Sequence, residues 1–136
     1  MVTLNDNKEI TGELKKSGQV TLDSSGNAVL IFDPDHANQR WELDSVVVAT
    51  NQAATATTVP VVTLAINTTA LSTMSAGNQR GATWNGNQET FTGKILLGPC
   101  DFLAVIFSPP AGASGTPLSG VIGSAVVSGT KYTRRG

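Results

Sequence analysis

The sequence predicts a single-domain, all-β protein: an antiparallel β-sandwich of about eight strands, jelly-roll-like in build. Three observations carry this expectation. Short stretches rich in Val, Ile, Leu and Thr recur from Gly18 to the end of the chain, and such residues suit a pleated, half-buried surface. Clusters of Gly, Pro, Asn, Asp and Ser separate these stretches at short spacing, as tight turns require. No segment has a convincing helical pattern, and "SPPAGASGTP" is a loop no helix would contain. A chain of 136 residues suffices for one core, whereas two domains would each bury too little apolar surface.

Taken in order, residues 1–17 read as a polar N-terminal arm dotted with Val2, Leu4 and Ile10. Such an arm is loose in isolation and orders against a neighbouring subunit. Residues 18–136 form the sandwich. "GQVTL", "DSSGN" and "NAVLIF" suggest a hairpin of Gln19–Leu22 with Ala28–Phe32. Pro34 then holds Asp33 extended in a polar loop. In "RWELDSVVVAT", Trp41, Leu43 and Ser45 alternate inward, and the run Val46, Val47, Val48 signals a bulge or a strand covered on both faces. "PVVTLAIN" alternates, with Pro60 at the strand start, where a missing N–H does least harm. Short strands are expected near 70–74 and 82–84. Two more flank a Gly98-Pro99 turn, and a last one is interrupted by Gly120 and Gly123.

Composition narrows the function classes. The formal net charge is −1 and 14% of residues are charged, so there is no broad basic face to displace counterions from nucleic acid. The small cluster Lys131, Arg134, Arg135 reads as a solvated end. Cys100 is the single cysteine, which excludes an intrachain disulfide and suits a reducing compartment. The N-terminus lacks a basic-then-apolar leader pattern, and no apolar run approaches the ~20 residues that span a bilayer, so a soluble protein is expected.

No residue pattern points to catalysis, a metal or a cofactor. His36, the one histidine, sits in "DPDH" between turn-forming residues, not among spaced zinc ligands. Cys100, in "GPCDF", reads as a partly buried structural thiol. The ten acidic residues show no spacing that singles out a glycosidase pair. Trp41 belongs to the core. Trp84, with Asn85 and Asn87 beside it, is the candidate ligand-facing group, since glycan surfaces combine an aromatic face with amides.

The order of pieces resembles small β-sandwich virion proteins of tailed bacteriophages, especially those infecting actinobacteria. The residues carrying the resemblance are Trp41 with Val46 to Thr50, Trp84 to Asn87, Ile95 to Gly98 and Leu103 to Phe107. They span about two-thirds of the chain, from Gly18 onward. Two departures stand out: "HANQRW" replaces the usual Gly-Asp or Gly-Gln before the first Trp, and Phe107 stands where relatives carry a Trp. The resemblance implies a capsid decoration, minor capsid or head–tail accessory protein. It further implies a homo-oligomer, often a trimer, that contacts other virion proteins and is assembled in the host cytoplasm. Nucleic acid and membrane partners are not expected. The rival reading is a carbohydrate- or receptor-binding module on a tail or fibre, with a host glycan as partner.

Overall fold

The computed structural model describes residues 9–134 except 74, 76, 78, 81–83, 86 and 87. Among the described residues eight strands follow one another: β1 (Glu9–Thr21), β2 (Ala28–Phe32), β3 (Gln39–Thr50), β4 (Val61–Ile66), β5 (Trp84–Asn85), β6 (Gln88–Leu97), β7 (Leu103–Ser108) and β8 (Ile122–Arg134). One sheet has the order β1-β8-β3-β6 and the other β2-β7-β4-β5. Every pairing is antiparallel, and the partners nest: β1 with β8, β2 with β7, β3 with β6, β4 with β5. The first half of the chain therefore runs back along the second half and wraps as a double ribbon. This is the two-Greek-key jelly roll.

Alternation puts one face of each strand into a shared core. Trp41, Leu43, Val46, Val48, Ile95, Leu97, Ala125 and Val127 from the first sheet meet Val62, Leu64, Leu103, Val105 and Phe107 from the second. Gly123 makes room for the Phe107 ring, which would lie 2.7 Å from a Cβ at that position. Strands β4 and β7 are covered on their outer side too, where Ala65, Ala104 and Ile106 pack with Val29 and Phe102.

The inward phase of β3 is 41, 43, 46, 48, not an unbroken alternation. From Leu43 to Val46 is three residues; their β8 partners Gly129 and Val127 are two apart, and their β6 partners Ile95 and Phe91 four apart. The sheet thus lengthens from strand to strand across this point, as bulged strands do when they bend a sheet. Asp44 is the extra residue on β3. Gly93 (φ 149°) lies within the widened step of β6.

Several expectations are corrected here. Residues 9–17 are not an arm: they pair with β8 without a register break as the first part of β1. The segment looks polar because β1 is an edge strand that buries only Leu14. Residues 1–8 lie outside the described residues. The 19–22 and 28–32 segments do not form a hairpin, because the Asp23–Asn27 turn carries the chain from one sheet to the other. Ser45 does not point inward, since the bulge at Asp44 resets the phase. A short 3-10 turn occupies Leu71–Thr73 where a strand was expected. The Gly98–Asp101 turn again links the two sheets. Cys100 is exposed, because it sits at the tip of that turn rather than in the following strand.

Candidate functional site

At one end of the sandwich the starts of β1 and β3, the end of β8 and Pro99 frame a cleft of about 300 Å³. Its polar side chains come from register. Along the outer face, Glu9 lies opposite Arg134 and Tyr132 opposite Arg40. Arg40 reaches over the Tyr132 ring, 4.0 Å from its centroid. It donates through Nε (3.0 Å) and Nη2 (2.8 Å) to the Glu9 carboxylate on the far side of β8. The paired guanidinium holds Glu9 below the usual carboxylate range, and the same hydrogen bonds raise Arg40. Asn38 Nδ2 donates to the Arg134 carbonyl at 3.2 Å.

Gln39 is in phase with Trp41 and Leu43, so its amide points between the sheets at the cleft. It is 7% exposed, and its Oε1 accepts no hydrogen bond from the described residues. A buried amide oxygen without a donor costs roughly 1–3 kcal/mol, so a ligand or water donor is favoured there. Gln39 thus lies at the base of the cleft with its amide oxygen buried, and Arg134 lines the same cleft.

Two other hollows lie among the described residues. A groove of about 180 Å³ lies where β1 and β2 face each other across the sheet gap, lined by Gly18, Leu30, Phe32 and Trp41 among others. The Lys16–Asp35 ion pair (3.2 Å) spans it. Trp41 is 2% exposed, and its indole N–H has no partner among the described residues. An apolar cleft of about 270 Å³ lies under Ala70 and Leu71 against Val29 and Ile106.

The residues singled out from sequence fall apart in space. Val2, Leu4 and Asn87 lie outside the described residues. Trp84 and Asn85 form β5 against Val61 and Val62. Ile10 is on β1 and 54% exposed. His36 is exposed in the loop before β3. Among the described residues, no three His, Cys, Asp or Glu side chains gather as a metal site. Among them too, no helix is long and apolar enough to cross a membrane. Glu9, Gln39, Arg40 and Arg134 were missed. Gln39 did carry a signal, a polar residue in phase with two core residues.

No family model matches the chain, and no curated protein matches it. Among solved structures, the chain is similar to one from the infectious bursal disease virus, Gx strain, with a TM-score of 0.38 and 9% identity. That likeness covers 96% of this chain and 42% of the viral one, so the chain spans under half of its length.

Proposed function

We propose that this chain is a virion structural protein of a bacteriophage: a capsid decoration, minor capsid or head–tail accessory component that stabilises the particle through subunit contacts. The observation that carries this reading is the nested eight-strand jelly roll, an architecture of viral capsid and lectin domains. Its interior supports an assembly role, because packed apolar side chains fill the space between the sheets. Its partners are copies of itself and other virion proteins, and its place is the particle assembled in the host cytoplasm. No reaction is assigned to it. The test is sedimentation of lysates from phage-producing cells, followed with an antibody to this chain. Recovery with particles at a fixed stoichiometry supports the reading; recovery only in the soluble fraction refutes it.

The second reading, a carbohydrate- or receptor-binding module, is favoured by the end cleft, whose lining combines the amide of Gln39 with Arg40 and Arg134. Jelly rolls host many unrelated sites, so the site must argue for itself. Titration with glucose and with glucuronate, read on the Gln39 side-chain amide by NMR, tests it. Saturable shifts from either sugar favour binding, and unchanged resonances exclude it.

A further inference from the structure

We propose that β1 is the contact between two copies of this chain, pairing antiparallel with the β1 of a second copy about a two-fold axis at Leu14. Among the described residues β1 has a hydrogen-bonded neighbour, β8, on one side only. It runs for 13 residues without a register shift or a proline. The other sheet edges are blunted. Strand β6 is bulged at Gly93, β2 has five residues and β5 two. A long regular edge is a template for another strand unless it is protected.

Its charges select both the partner and the register. Glu9 is held by Arg40 and Lys16 by Asp35. Glu13 and Lys15 are exposed on one face and make no ion pair among the described residues. Reversing β1 on itself about Leu14 places Glu13 opposite Lys15 of the second copy and, by symmetry, Lys15 opposite Glu13. Centring the pair on Glu13 or on Lys15 instead sets like charges face to face. A slip of a single residue puts outward side chains opposite inward ones.

An independent observation selects the same register. It sets Ile10, otherwise 54% exposed, opposite Gly18 of the second copy, on the inward side of the strand. Gly18 has no side chain, and a Cβ there would lie 3.2 Å from Leu30 and 3.6 Å from Phe32. These three line the groove between β1 and β2. Ile10 of each copy thus enters the groove of the other.

Sedimentation equilibrium of the full chain tests this. The wild type is expected to dimerise reversibly. Each of K15E and E13K acts twice across the axis and weakens the dimer about tenfold or more, while the double E13K/K15E restores it. I10D abolishes it. All three positions are exposed, and circular dichroism verifies that each of the four variants folds. A wild type that stays monomeric at every concentration, a double variant as weak as the singles, or an I10D that dimerises normally overturns the proposal. Incorporation into particles is measured separately, so failure here leaves the virion reading intact.

Discussion

Replacing Gly129 by Ala probes the bend in the first sheet. Gly129 is on β8 opposite Leu43, at the short side of the step where β3 carries one extra residue. A Cβ there would come within 2.8 Å of the Leu43 Cα and nearer still to the Glu42 carbonyl oxygen. Both are backbone atoms of a central strand, so no rotamer change relieves the overlap. The β3 backbone has to move by about an ångström, which for an over-packed core costs about 3 kcal/mol. The better strand preference of Ala returns only about 0.5–1 kcal/mol. The net loss of about 2 kcal/mol corresponds to a fall in Tm of about 8 °C for a domain of this size. Thermal unfolding followed by circular dichroism measures it. Gly12→Ala is the control, since its Cβ would meet only the Lys131 side chain at 3.6 Å; its Tm should stay within about 2 °C of wild type. If G129A melts with the control, the close approach of β3 to β8 is not as described.

Other expectations follow from the loop locks and the surface. Asp101 accepts from Asn67 Nδ2 and from the Gly98 backbone N–H, both at 2.9 Å, and these bonds hold its carboxyl below the usual range. A depressed folded-state pKa gives stability that is full above the unfolded value near 3.9 and is lost as pH falls through the folded one. D101A should therefore unfold earlier than wild type in urea at pH 7, and the two curves should converge only as pH falls from about 3.9 through the lower folded-state value. Asn67 adopts φ 61° and its Oδ1 accepts from the Phe102 N–H at 2.9 Å. N67A loses both the bonds and the tolerated backbone, so it should lie about 1 kcal/mol below N67G in chemical denaturation. Leu96 is 61% exposed, and L96S should leave stability within about 0.5 kcal/mol of wild type.

The sandwich was legible because period-2 runs and Gly/Pro punctuation speak directly to strand formation. What stayed hidden was partnership. "GQVTL" and "NAVLIF" carry a good turn between them, yet local chemistry cannot say whether that turn closes a hairpin or crosses between sheets. The bulge announced itself in Val46–Val48 but sits two residues earlier, at Asp44. An exposed aspartate in mid-strand marks it only once the inward phases on both sides are known. The edge character of β1 made it look like an arm, since a strand with a single buried side chain has almost no pattern to read. The end cleft needs Glu9, Arg40 and Arg134 to meet across β8, a juxtaposition set by register over more than ninety residues of chain. Trp84 and Asn85 stand out by chemical type, and type alone does not place them beside Gln39.

Cryo-electron microscopy of the purified particle is the most direct test of the assembly role. The expected result is density for an eight-strand sandwich, with the β1-β8-β3-β6 sheet order, repeated at symmetry-related positions on the particle. A reconstruction in which other chains account for all the density, with this protein absent from the particle's mass spectrum, would contradict it.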